Sequence, residues 1–170
     1  MILASARKES DTEWFVNQVF EDIEIKKLDL LDYNLSPFNY SAIYPHYDQF
    51  QSVVDAILSH RIIIFATPVY WYAMSGLLKT MFDRFTDLVT VQKETGQLFT
   101  GKSVFLIAVG SDKVIPPGFE EPFSLTSKYL RMFYKGSIYH STKSEYSKSD
   151  IEDTLVEFRR KVNEPDLARD

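Results

Sequence analysis

The sequence predicts an α/β protein: a twisted parallel sheet with helices packed on both faces. Three observations carry this. The runs Arg61 to Thr67 and Lys102 to Val109 are apolar at nearly every position, as central strands covered on both sides must be. Short β-rich runs alternate along the chain with longer helical patterns, and right-handed crossovers turn such alternation into a parallel sheet. No internal repeat, low-complexity tract or long linker interrupts the 170 residues, so a single domain over residues 1–170 is expected.

Taken in order, Met1 to Ala4 is a short apolar run. Ser10-Asp11-Thr12-Glu13 has the form of a capping box and opens a helix through Phe20, with Phe15, Val16, Val19 and Phe20 as its apolar face. Ile23 to Leu31 reads as a strand, and Asp32 to Pro45, rich in Asn, Ser and Pro, as loop. Tyr47 to Ser59 carries Phe50, Val53, Val54, Ile57 and Leu58 at helical spacing. After the first continuous apolar strand, Ser75 to Val89 is a helix with Leu77, Met81 and Phe85 on one face. The second apolar strand is followed by a helix near Phe123 to Phe133 and a short strand at Ser137 to His140. Ser149 is placed as cap of a last helix striped by Ile151, Leu155, Phe158 and Val162. Five strands thus alternate with five helices.

Composition narrows the chemistry. The chain has no cysteine, which removes disulfides, thiolate metal sites, iron–sulfur clusters and a cysteine nucleophile. A net charge of −5 argues against nucleic acid as partner. The apolar start is too short for a signal peptide and no run reaches a membrane span, so a cytoplasmic protein with no membrane partner is expected. His46, His60 and His140 have no ligand spacing, and no metal is expected. Gly-x-Ser-x-Gly is absent, so a serine hydrolase is not indicated. Gly96 to Ser103 matches GxxxxGK[ST], yet a strand follows it where the phosphate-binding form requires a helix. Asn34-Leu35-Ser36 and Asn39-Tyr40-Ser41 fit the glycosylation triplet only for a secreted chain.

In open parallel sheets, ligands lie beyond the carboxyl ends of the strands where strand order reverses. The turns after the first, third and fourth strands are therefore the candidate sites. The first, Ser5 to Thr12, runs into a helix start, which offers unpaired N–H groups and about half a positive charge to an anion. Ser5, Ser10 and Thr12 add hydroxyls, and Arg7 a guanidinium suited to phosphate oxygens. The second, Thr67-Pro68-Val69-Tyr70-Trp71-Tyr72, places three aromatics in succession at the sheet edge, where a flat ligand would stack. The third opens on Gly110-Ser111, with Gly110 allowing close backbone approach, and continues through a Pro- and Gly-rich stretch that reads as lid, interface or plain loop.

Pro68-Val69-Tyr70, Gly76-Leu77-Leu78-Lys79 and Asp83-Arg84 together resemble the signature of the NADPH-dependent FMN reductase family, of the flavodoxin-like superfamily. Ser5-Ala6-Arg7 through Ser10-Asp11-Thr12 is similar to that family's phosphate loop, with Ala4 and Ala6 where the family often has Gly and Pro. The resemblance implies a flavodoxin-like three-layer sandwich with strand order 2-1-3-4-5 and a non-covalent FMN. Ser5, Arg7, Ser10, Asp11 and Thr12 would surround its phosphate, Asp11 through its N–H. Thr67, Pro68, Val69, Tyr70, Trp71 and Tyr72 would flank the ring, and Gly110 with Ser111 its far edge. Lys79, Asp83 and Arg84 would serve structure or subunit contacts. The implied activity passes a hydride from NADH or NADPH to FMN and on to a quinone, flavin, azo or nitro compound, with no side chain needed as acid or base. The alternatives are a flavodoxin-type one-electron carrier and a flavin-free scaffold. A homodimer is the family expectation, with the exposed aromatics and the helix from Ser75 as contacts.

Overall fold

The computed structural model describes residues 1–143 and 147–164. Its elements are β1 (Ile2–Leu3), α1 (Asp11–Val19), β2 (Leu28–Asp29), a 3-10 turn (Leu30–Asp32), α2 (Phe50–Leu58), β3 (Ile62–Pro68), α3 (Gly76–Thr90), α4 (Lys93–Gln97), β4 (Ser103–Gly110), α5 (Glu121–Tyr129), β5 (Phe133–Ser141) and α6 (Lys148–Asn163). All pairings are parallel and the order is β2-β1-β3-β4-β5, as the resemblance implies. Strand order reverses at β1, which pairs with β2 on one side and β3 on the other.

The sheet separates two apolar layers. On one face, Phe15, Val16 and Val19 of α1 meet Leu155, Phe158 and Val162 of α6 over Ile64, Phe105 and Ile107. On the other, α2, α3 and α5 deliver Phe50, Val53, Met81, Phe85 and Phe123 onto Ile63, Phe65 and Leu106. Phe65, Phe82 and Phe123 meet edge-on or tilted at 5.1–6.1 Å, geometries that the ring quadrupole favours. Every residue of β4 is buried, which is why its sequence reads as an unbroken apolar run.

Five expectations need correction. The second strand is two residues long, because Asp29 turns its carboxylate back to accept the Leu31 N–H at 2.9 Å and starts the 3-10 turn. The helix expected to end at Phe133 stops at Tyr129, where Arg131 takes a left-handed φ of 58° and Met132 N–H bonds back to Ser127 O at 2.8 Å. Strand β5 therefore begins at Phe133 rather than Ser137, with an irregularity at Gly136 (φ 113°) that lets the two strands drift by one residue. The last helix starts at Lys148, with Ser147 rather than Ser149 at the N-cap position and no side-chain capping bond. Finally, α4 adds a sixth helix, whose last two residues open the stretch that matched the nucleotide-loop pattern.

That stretch is structural. Lys102 is buried, and its Nζ donates to Leu58 O at 2.9 Å and His60 O at 2.6 Å, satisfying carbonyls at the end of α2. Desolvation pushes its pKa below the usual lysine value. A Cβ on Gly96 would lie 2.1 Å from Leu88 O, so this glycine permits α4 to lie against α3.

The loop before α2 is tied down by Arg84, only 3% exposed. Its Nη1 donates to both Asp48 carboxylate oxygens at 2.9 and 3.1 Å and to Ser36 O at 3.1 Å, and its Nε to Asp87 Oδ2 at 2.7 Å. The guanidinium lies 3.4 Å from the Tyr44 ring centroid. Burial alone would raise the Asp48 carboxyl, but hydrogen bonds from Arg84 and Ser36 hold it below its ordinary value. Lys79 and Asp83 instead pair with each other at 2.5 Å on the open face of α3. No helix among the described residues is long and apolar enough to cross a membrane.

Candidate functional site

The phosphate-loop candidate begins where β1 ends. Ser10 has extended backbone and its Oγ accepts the Glu13 N–H at 3.2 Å, while Glu13 Oε2 accepts the Glu9 N–H at 3.0 Å. This is the anticipated capping box, with the return bond one residue earlier than Ser10. The N–H groups of Asp11 and Thr12 have no partner inside the helix, since first-turn donors never do. Lys8 spans Asp29 and Asp32 at 2.7 Å each, pinning the middle of the loop to the end of β2. Among the described residues Arg7 is held by nothing closer than Asp11 at 4.0 Å, with both side chains about two-thirds exposed, a weak pair.

The second turn is anchored from below. Ser75, the N-cap of α3, accepts Leu78 N–H at 3.2 Å and donates to Ala4 O at 2.6 Å. Its own N–H goes to Thr67 Oγ1 at 3.0 Å. Thr67 is thereby a buried bracket, and its side chain is occupied within the fold. Tyr70 and Ala73 exchange two backbone hydrogen bonds at 2.9 and 3.0 Å around Trp71 and Tyr72, which hold φ of 49° and 63°. Left-handed backbone at bulky residues costs about 1–3 kcal/mol each.

The third turn reaches the same place. Val69 N–H donates to Val109 O and Thr142 N–H to Gly110 O, each at 2.7 Å. A Cβ on Gly110 would stand 2.8 Å from the Tyr139 hydroxyl and 3.1 Å from Val69 Cβ, so the glycine serves packing against these two side chains. Tyr139 donates to Asp112 O at 2.9 Å and steadies the start of the long loop. Burial first, and the Asp112 charge second, raise its pKa.

Together these turns enclose a cleft of about 220 Å³ at the carboxyl ends of β1, β3 and β4. Ser5, Arg7, Ser10, Asp11 and Thr12 form one wall; Pro68, Val69 and Tyr70 form a second; Gly110 and Ser111 form a third. Thus ten of the residues singled out from sequence share one cleft, at the edge where strand order reverses. Thr67, Trp71 and Tyr72 do not line it: Thr67 lies beneath, and Trp71 and Tyr72 point into solvent at 93% and 69% exposure.

Sequence reading missed Val109 and Thr142, which complete the lining. Thr142 follows the fifth strand, and its place just beyond a strand's carboxyl end was the signal that could have found it. Its neighbour Ser141, opposite Gly110 in the sheet, holds the one buried side-chain oxygen without a partner among the described residues. His140 stacks on Phe15 at 4.9 Å and meets Trp14 at 5.3 Å beside the start of α1. Desolvation lowers its pKa, against a smaller opposite effect of Asp11. No cluster of three or more potential metal ligands occurs among the described residues.

The wall built by Ser5 to Thr12 fits the phosphate end of a nucleotide. It offers helix-start N–H groups, three hydroxyls and a guanidinium free to leave its distant carboxylate. A family model described as NADPH-dependent FMN reductase matches residues 1–114. A Bacillus subtilis (strain 168) protein named as an NAD(P)H-dependent FMN-containing oxidoreductase, YwqN, is 26% identical over 147 residues, 81% of each chain. The structure of Trp repressor binding protein from Bacillus subtilis superimposes with a TM-score of 0.70 at 23% identity, covering 96% of this chain and 98% of that one. An NADPH-quinone reductase from P. pentosaceus gives a TM-score of 0.70 at 16% identity, with 96% of each chain covered. These likenesses make the fold flavodoxin-like. With a family model spanning two thirds of its length, from Ser5 to Thr12 and on through the aromatic turn, the chain belongs to the NADPH-dependent FMN reductase family and is an oxidoreductase that uses FMN with NAD(P)H as reductant.

Proposed function

We propose that this cleft holds the FMN and that the protein passes two electrons from NAD(P)H to a small planar acceptor, a quinone above all. The observation that carries the reading is the convergence of the open start of α1 with the turns after β3 and β4 on one cleft. Ser5, Ser10 and Thr12, the N–H groups of Asp11 and Thr12, and Arg7 would bind the phosphate. Asp11 would turn its carboxylate toward Arg7, as it already does at 4.0 Å. Pro68, Val69 and Tyr70 would support one side of the ring, while Gly110, Ser111 and Thr142 close the other end. When bound, FMN supplies a two-electron relay between nicotinamide and acceptor.

The balance is NADPH plus a proton plus quinone giving NADP⁺ plus hydroquinone, so one of the two protons gained comes from solvent. No side chain in the cleft is required to move it. The residues' part is to bind, to orient and to keep one ring face open. The name of the quinone reductase whose fold superimposes supports the acceptor class. The domain would act over residues 1–170, and two copies would associate through the outer face of α3, with a light-scattering mass near twice 19.8 kDa.

Anaerobic stopped-flow mixing of the FMN-loaded protein with NADPH tests the reading. Bleaching of the yellow flavin absorption within one turnover time is expected. Flavin that stays oxidised through many turnover times overturns it.

A further inference from the structure

The wall built by Ser5 to Thr12 has a second layer behind it. Side chains alternate across a strand, so Ile138, His140 and Thr142 follow one another along one face at the end of β5. Ile138 belongs to the apolar layer under α1 and α6, and Thr142 lines the cleft. His140 stands between them, paired across the sheet with Val109, which also lines the cleft. Its ring stacks on Phe15 at 4.9 Å, with the planes 22° apart, and meets Trp14 at 5.3 Å, so α1 fixes its place. The imidazole thus lies just behind the lining residues at the start of α1.

The charges around this ring can be named. From α1, Asp11 is the carboxylate whose field reaches it, while Glu13 on the same turn is engaged by Lys27. In the preceding loop, Arg7 leans toward Asp11 and Lys8 is held by Asp29 and Asp32. From β4, Val109 is apolar. From α6, Ile151 and Leu155 enter the layer, and Glu152 is paired with Arg159 at 3.6 Å. Burial between the rings disfavours a proton on His140 more than Asp11 favours one. A phosphate dianion at the start of α1 adds two negative charges on the cleft side and tips that balance the other way.

We infer that His140 is the charge partner of the flavin phosphate, taking up one proton when FMN binds and so favouring the phosphorylated flavin over riboflavin. This rests on the reading that the cleft holds FMN with its phosphate at the start of α1. The proton comes from solvent, imidazole becomes imidazolium, and no bond to the flavin forms. Because the complex holds the proton more tightly than the free protein does, the added affinity is complete at low pH, below the titration of the free imidazole. It is lost as pH rises through the titration of the complex.

NMR titration of the imidazole resonances, with FMN, with riboflavin and with neither, tests the inference. His46 and His60 are exposed and outside the cleft lining, so they serve as internal references. His140→Phe keeps a ring against Phe15 and Trp14 and assigns the third signal. With FMN, His140 should hold its proton about tenfold more tightly, while riboflavin and the two reference histidines show no such change. In fluorescence titrations, the ratio of FMN Kd in His140→Phe to that in wild type should be about fivefold larger at pH 5.5 than at pH 8. The phosphate's own ionisation, near pH 6, is common to both proteins and cancels in this ratio. FMN that binds while the His140 titration stays put, or a Kd ratio flat with pH, overturns the inference and leaves the FMN reading standing. Failure of wild type to bind FMN overturns that reading, and this inference with it.

Discussion

The Ser75 hydroxyl donates to the Ala4 carbonyl at 2.6 Å across a sequence separation of 71 residues, while accepting the Leu78 N–H at 3.2 Å. One small side chain thus caps α3 and fastens it to the strand end from which the loop Ser5 to Thr12 departs. Both halves of the cleft depend on this contact. Ser75→Ala removes the cap and leaves a buried carbonyl unpaired, and should destabilise the fold by about 2–3 kcal/mol. Differential scanning calorimetry should show a lower Tm, and FMN affinity should fall with it. An unchanged Tm would mean that the loop and α3 are positioned independently.

Arg7 is the complementary case. Its side chain is exposed and its contact with Asp11 is long, so Arg7→Ala should leave the Tm of the FMN-free protein unaltered. A charge-assisted contact with phosphate is worth about 1.5–3 kcal/mol, which corresponds to a rise of roughly tenfold to hundredfold in the FMN Kd. Fluorescence titration checks this. Riboflavin, which lacks the phosphate, should show no such loss.

The Asp48–Arg84 pair predicts a pH dependence. The folded Asp48 carboxyl lies below its ordinary value, so the unfolded state binds the proton more readily. Its stabilisation is whole above the unfolded carboxylate range, near pH 4, and is lost as pH falls through the lower folded pKa. Asp48→Asn should weaken the fold at neutral pH, because Arg84 loses one of its two buried carboxylates. Urea midpoints measured from pH 7 to pH 2 should then fall less steeply in the variant. Parallel curves for variant and wild type would assign the acid sensitivity elsewhere.

Gly110→Ala should cost about 1–3 kcal/mol through overpacking, because the new Cβ meets the Tyr139 hydroxyl and Val69 together. The double variant Gly110→Ala/Tyr139→Phe should recover part of the loss by removing the closest atom. A fully tolerated single variant would show that the β4 end gives way easily.

The fold was largely readable because its information is local. Phe65 and Phe105 sit in strands buried on both faces, so those strands are apolar throughout and need no long-range knowledge to detect. The capping box at Ser10 is a four-residue signal that the backbone obeys. Boundaries failed where one residue satisfied two patterns: Phe133 suits a helix face and a strand equally, and the left-handed turn at Arg131 is made without the glycine that usually marks it.

The cleft was readable for a different reason. Strand ends in a parallel sheet gather in one place, so Ser5, Pro68 and Gly110 meet although their sequence positions are far apart. Thr142 was missed because its membership comes from a backbone bond to Gly110 rather than from side-chain type. The direction of Trp71 was hidden too, since aromatic residues at a mirror-image turn contradict the composition from which such turns are recognised. Tyr44 and Asp48 reach Arg84 from the loop before α2 and Asp87 from the next turn of α3, and no periodicity connects that loop with the helix.

The most direct measurement is an FMN titration of the purified protein, read by absorption and flavin fluorescence, with a crystal structure of the product. The account predicts saturation at one FMN per chain, with the phosphate at the start of α1 against Ser10, Thr12 and Arg7. A protein that stays colourless in excess FMN, or one that binds the phosphate away from residues 5–12, would contradict it.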